Sequence, residues 1–214
     1  MSPPTVALVP LRAPGTGKTR LAATLSPQQR AALAGAMLAD VCATLAAAPV
    51  DRLLVVAGGD AAAAAASALG AEVVHDPPGT RGLDAALRHA QGALEGNPAL
   101  LVVPADLPRL TVADVRAVLD VDADVVVAPT DDGGTGALLR RPGSILPTAY
   151  GPFSARRHRA EARRRGLDVV TVRRAGFAAD VDTAGDLESL ATGPLGPATR
   201  AVLVGWSRRE AEAG

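Results

Sequence analysis

A lysine and a threonine close a Gly-rich segment, Arg12-Ala13-Pro14-Gly15-Thr16-Gly17-Lys18-Thr19, directly after the apolar run Val6-Ala7-Leu8-Val9. The spacing approaches the phosphate-loop pattern G-x-x-x-x-G-K-[ST]. Arg12, however, stands where that loop needs a backbone without a side chain. Two readings stay open: a donor-rich loop whose Lys18 and Arg20 reach a triphosphate, and a Gly/Pro turn with solvated cations.

Carboxylates form the second constellation. Asp106 follows the apolar run Leu100-Leu101-Val102-Val103, at the strand end where ligands bind in open α/β sheets. Asp180-Val181-Asp182-Thr183 adds two acids that an extended backbone would turn to one face. One acid from a central strand and two from a later turn make a hard-oxygen set suited to Mg²⁺, which takes few carboxylates plus substrate phosphates. The competing reading is local: Thr183 with Asp186 resembles a capping box for a helix starting at Ala184.

Asp131-Asp132-Gly133-Gly134-Thr135-Gly136 reads either as a hairpin turn or as a close backbone approach to an anion, with the Thr135 hydroxyl as a donor. Tyr150-Gly151-Pro152-Phe153-Ser154 opens a basic helix, so Ser154 is expected as its N-cap, with free amides behind it ready for an anion. His158 lies one turn further on. The six arginines between Arg156 and Arg165 otherwise read as a solvated helical face.

The elements that position these residues alternate. Strands are expected at Val6–Val9, Leu53–Val56, Glu72–His75, Leu100–Val103, Val125–Val127 and Val169–Val172, with a further apolar segment at Ala137–Leu139. Helices are expected at Pro27–Ala48 with Ser26 as N-cap, Asp60–Leu69, Leu83–Leu94, Val112–Leu119, Ser154–Arg165 and Ala184–Leu190. The order predicts an α/β fold with a mostly parallel sheet. Residues 76–82, with two prolines and two glycines, are a loop.

With 214 residues, a 48% hydrophobic fraction and 21% charge, the chain is expected to form one domain over 1–214, its tail after about 193 flexible. Lys+Arg and Asp+Glu are equal at 22 each and aromatics are 2%, which argues against a nucleic-acid partner. Cys42 is the only cysteine, so no intrachain disulfide is available. Without a leader-like start or an uninterrupted apolar span, a cytoplasmic protein without a membrane partner is expected, as monomer or homodimer.

Taken in order, Val6 to Leu11 with Lys18-Thr19-Arg20-Leu21, Pro104-Ala105-Asp106-Leu107-Pro108, Asp132-Gly133-Gly134-Thr135, Tyr150-Gly151-Pro152-Phe153-Ser154 with His158, and Asp180-Val181-Asp182-Thr183 form a pattern. From about Val6 to Leu190 the chain resembles the guanylyltransferases of coenzyme F-420 biosynthesis that act on phosphoenolpyruvate or 2-phospho-L-lactate. The resemblance implies a three-layer α/β/α, Rossmann-like nucleotidyltransferase domain of the glycosyltransferase-A-like type. It implies transfer of GMP from GTP to a phosphorylated three-carbon acid, with pyrophosphate leaving and Mg²⁺ assisting. Lys18 and Asp106 would be catalytic, and Lys18, Arg20, Gly82 and Asp84 would hold the nucleotide. Thr135, Gly151 and Ser154 would hold the acid, and Asp106, Asp180 and Asp182 the metal. The chain departs from that pattern at Asp84 and at Gly136, both positions where Asn is common. The competing classes are a P-loop-like NTPase or kinase using Lys18 and Asp106, and a nucleotide-binding module without activity.

Overall fold

The computed structural model describes residues 3–12, 19–77 and 79–213. The first half holds β1 (Thr5–Arg12), a 3-10 turn (Thr19–Leu21), α1 (Pro27–Ala46), β2 (Arg52–Gly58), α2 (Asp60–Ala68), β3 (Glu72–His75), α3 (Leu83–Gly92) and β4 (Ala99–Val102). The second half holds α4 (Val112–Leu119), β5 (Val125–Pro129), β6 (Thr135–Arg140), α5 (Ser154–Arg164), β7 (Val169–Thr171), α6 (Ala175–Ala178), α7 (Ala184–Ser189) and α8 (Pro197–Ala213).

The strands make one sheet in the order β3-β2-β1-β4-β6-β5-β7, parallel except for β6, which runs against both neighbours. Alternation along β1 sends Ala7 and Val9 to one face with Leu38, Val41 and Leu45 of α1 and Val115 and Val118 of α4. Val6 and Leu8 go to the other face, with Leu87 of α3 and Ala155 and Ala162 of α5. Helices therefore cover both faces, and β4 between them is buried at all four positions.

The chain steps from β1 out to β2 and β3, then returns to the far side of β1 as β4. Ligands bind outside the carboxyl ends of strands at such a reversal. β1 ends there at Arg12; the expectation about Lys18 falls on residues 13–18 and lies outside the described residues. The segment leaving β4 carries Asp106, four residues beyond the strand end.

Local signals explain three helix starts, those of α1, α4 and α7. Ser26 accepts the Gln29 amide while the Gln29 side chain accepts the Ser26 amide, a full capping box. Thr111 with Asp114 does the same for α4. The chain ends in α8, from Pro197. Its first amides, those of Ala198 and Thr199, donate to the Asp40 carboxylate on α1 at 2.9 and 2.8 Å. Leu203 and Trp206 then pack against the Leu33 and Met37 cluster.

Two further expectations change. Thr135 and Gly136 belong to β6 and not to the preceding turn. Ala137 pairs with Ala128 but Thr135 with Pro129, so Gly136 is an extra residue, a bulge. The bulge places Thr135 on the Leu138 face, which α5 covers. Ser154 is the first residue of α5 rather than its cap; Phe153 takes the cap position at φ 56°.

Candidate active site

Two clefts and one buried polar chain lie where the strands end. The first cleft, about 330 Å³, opens at the ends of β1 and β2 and includes Pro10, Arg12, Gly58, Asp76, Thr80 and Gly82. Its wall is the loop after β3: the Asp76 amide donates to Ala57 at 3.0 Å, and Thr80 donates from both its amide and its hydroxyl to the Pro77 carbonyl. Gly82, at φ 85°, starts α3 without a side-chain cap, so the first amides of the helix are not consumed by a neighbouring side chain.

The second cleft, about 580 Å³, contains Arg20, Arg109, Asp132, Asp180, Asp182 and Asp186. Burial, then the charges of Asp106, Asp132 and Asp182, push the Asp180 carboxyl up to about 6. The fold thus brings the three sequence-selected carboxylates into one electrostatic neighbourhood and adds Asp132. Asp132 is held by the Thr130 hydroxyl and the Gly134 amide. Among the described residues no three acidic, histidine or cysteine side chains stand as a closed metal-ligand group. The donor set nevertheless suits a hard cation that also takes water and phosphate oxygens, and the mutual repulsion at Asp180 is what such a cation relieves. The capping reading of the same segment also holds: Asp186 accepts the amide and the hydroxyl of Thr183, and the Thr183 hydroxyl accepts the Asp186 amide.

Between β6 and α5 lies the third group. The His158 imidazole is fully buried. Its Nε2 accepts the Ala149 amide at 2.8 Å, which places the ring hydrogen on Nδ1, 3.2 Å from Thr135 Oγ1. Thr135 Oγ1 in turn lies 2.7 Å from Ser154 Oγ. Two hydroxyl hydrogens serve this pair and one spans it, so the other is left for a further acceptor. The amides expected to form an anion site at the start of α5 are already used: those of Ser154 and Ala155 donate to Gly151 and Gly133. The donor left over here is a hydroxyl.

Burial, reinforced by Arg140 and Arg157 and opposed by Asp84, holds His158 down to about 4, so the ring is neutral at pH 7. The unfolded chain, with an ordinary histidine near 6.5, takes up this proton first. The stabilisation from the neutral ring is therefore full above about pH 6.5 and lost as pH falls towards 4. Between pH 7 and 5 the loss amounts to about 2 kcal/mol. Because Asp180 titrates in the same range with the opposite sign, the increment is read as a difference: in urea unfolding the parent should lose about 2 kcal/mol more than His158→Gln between pH 7 and 5, and equal pH dependence in both would contradict it.

The other expected residues are distributed as follows. Gly82 lines the first cleft and Arg20 the second. Asp84 reaches across to accept the Tyr150 amide at 3.0 Å, tying α3 to the loop before α5. Gly151 stands at φ 116°, and its carbonyl receives Ser154; Arg157 clamps the same loop through the Ala149 and Tyr150 carbonyls. Sequence reasoning did not single out Asp76, Asp132 or Arg109 as site residues. For Asp76 the available signal is the one used for Asp106, a carboxylate just past a strand that points at the reversal.

The profile described as Guanylyl transferase CofC like matches residues 5–202. A 2-phospho-L-lactate guanylyltransferase of Methanothermobacter thermautotrophicus is 38% identical over 186 residues, 86% of this chain and 82% of that protein. A phosphoenolpyruvate guanylyltransferase of Roseiflexus castenholzii is 39% identical, covering 88% of each chain. A 3-phospho-D-glycerate guanylyltransferase of Phenylobacterium zucineum is 40% identical, covering 87% and 89%. Among solved structures, a nucleotidyl transferase from Methanothermobacter thermautotrophicus superposes with a TM-score of 0.64 at 18% identity, over 87% of this chain and 95% of its own, a likeness of fold.

Proposed function

Because this chain belongs to the CofC-like guanylyl transferase family, we propose that it transfers GMP from GTP to phosphoenolpyruvate, or to 2-phospho-L-lactate or 3-phospho-D-glycerate, the acids named for its relatives. The product is an intermediate of coenzyme F-420 assembly, made in the cytoplasm. No described helix is long and apolar enough to cross a membrane. The observation that supports the reading most is the sequence of groups along one sheet edge: a cleft, a carboxylate cluster and a hydroxyl pair with a hydrogen to spare.

The chemistry needs no general base. A phosphomonoester has its second pKa near 6 and is mostly a dianion at pH 7. One of its oxygens attacks the α-phosphorus of GTP, the bond from that phosphorus to the bridging oxygen breaks, and pyrophosphate leaves with the electron pair. Thr135, Gly151 and Ser154 hold the acid, while Lys18, Arg20 and Gly82 hold the nucleotide and Asp84 steadies the loop between the two. Asp106, Asp180 and Asp182 would hold Mg²⁺, which supplies charge neutralisation and alignment of phosphate oxygens when bound. Lys18 would add a positive charge for the phosphates. Ser154 and Thr135 are almost closed off, at 1% and 5% exposure. The acid's approach therefore requires the cover over these two hydroxyls to open.

The test is pyrophosphate release from GTP and Mg²⁺ with each of the three acids in turn. Acid-dependent pyrophosphate supports the reading and names the substrate; acid-independent orthophosphate overturns it in favour of an NTPase. In the same assay Ser154→Ala should raise KM for the acid roughly 10-fold or more, with KM for GTP little changed, because it removes a donor to a charged group. Equal effects on both substrates would contradict this division.

A further inference from the structure

Asp76 is not used by the chemistry above, yet its placement is specific. It follows β3 directly, and its amide continues the ladder to Ala57 at 3.0 Å, so its position is set by the sheet. Asp76 is among the residues that line the first cleft, and its Oδ1 is buried without a hydrogen-bond partner among the described residues. Burial also raises its pKa, against the opposing charge of His89. A buried carboxylate oxygen with no donor is costly, and such atoms are rare unless something else supplies the hydrogen.

We infer that Asp76 reads the guanine base, its carboxylate accepting the N1–H and the 2-amino group. This rests on GTP being the nucleotide. Guanine presents two adjacent, parallel donors on that edge, matched to the two oxygens of a carboxylate as a guanidinium fork is. Adenine presents an acceptor at N1 and no 2-amino group, so the same side chain that holds guanine repels adenine. The rest of the cleft suits a purine: Pro10, Val56, Leu83 and Ala86 supply apolar surface, and the uncapped start of α3 at Gly82 offers amide hydrogens of the kind the guanine 6-oxo group accepts.

The experiment is a change of base preference. Asn at this position keeps one acceptor for N1–H but presents an amide donor where the 2-amino group would sit, which fits the 2-oxo group of xanthine. With the acid saturating, Asp76→Asn should lower kcat/KM for GTP about 100-fold and raise it for XTP about 10-fold or more, with KM for the acid unchanged. A folded variant whose GTP to XTP ratio matches the parent overturns the inference. Should the variant fail to fold, the parent itself decides. ITP lacks the 2-amino group and should be used about 10-fold less efficiently than GTP, whereas equal use overturns the inference. A parent that gives no acid-dependent pyrophosphate from GTP defeats the functional reading instead, and the base assignment with it. An active parent with unchanged preference in Asp76→Asn defeats the base assignment alone.

Discussion

Asp180→Asn should lose turnover by roughly 100-fold or more at saturating Mg²⁺ while folding at least as well as the parent. The activity loss follows from the proposed metal set, because removing one of three carboxylates weakens a cation whose stabilisation of phosphate charge is worth several kcal/mol, and each 1.36 kcal/mol is tenfold in rate. The stability result follows from what surrounds Asp180: burial and the negative charges of Asp106, Asp132 and Asp182 disfavour its ionised form. An isosteric neutral amide removes that repulsion. Without divalent cation the Tm of the variant should therefore equal or exceed that of the parent, and the rise in Tm on adding Mg²⁺ should shrink. A well-folded variant with near-parental turnover would contradict the metal assignment. A variant that simply unfolds would show that Asp180 is structural.

The second large effect concerns stability. Gly136→Asn restores the residue common at this position in the resembled family, yet it should destabilise this chain by about 3 kcal/mol or more. A Cβ on Gly136 would run into the carbonyl oxygen and side chain of Phe177, and Phe177 is fully buried. Backbone cannot swing aside as a long side chain can, so either α6 lifts off the sheet or β6 moves. For a chain of this length the change corresponds to a fall in Tm of roughly 6–12 °C. The bulge at Gly136 also sets the face on which Thr135 meets Ser154 and His158, so residual activity should show a raised KM for the acid. A Tm within about 2 °C of the parent would mean that α6 accommodates the side chain.

These two positions also mark where sequence reasoning reaches and where it stops. The carboxylates at 180 and 182 could be selected from alternation in an extended segment, and Asp106 from its position past an apolar run. Their approach to one another, and the arrival of Asp132, depends on β5, β6 and β4 lying side by side. The α/β order was readable because the strands carry short β-branched or apolar runs and the start of α1 carries its capping box in the residues themselves. The start of α8 was not, because its cap, Asp40, comes from α1, 158 residues earlier for Ala198. Ser154 was misplaced as a cap because Phe153 adopts the left-handed conformation that a bulky residue rarely takes. The need for glycine at 136 was unreadable for a similar reason, since what excludes a side chain there is Phe177, forty-one positions away and brought there by α6. Asp76 looked like one loop acid among several. What separates it from the rest is a place in the cleft lining and a buried oxygen without a partner among the described residues.

The measurement that tests the central claim most directly is ³¹P NMR of the full chain turning over GTP, Mg²⁺ and phosphoenolpyruvate, repeated with 2-phospho-L-lactate and 3-phospho-D-glycerate. The account predicts that, for at least one acid, the phosphomonoester signal is replaced by the two coupled signals of a new diphosphate as pyrophosphate accumulates. An unchanged phosphomonoester for every acid, with GDP and orthophosphate accumulating, would contradict it.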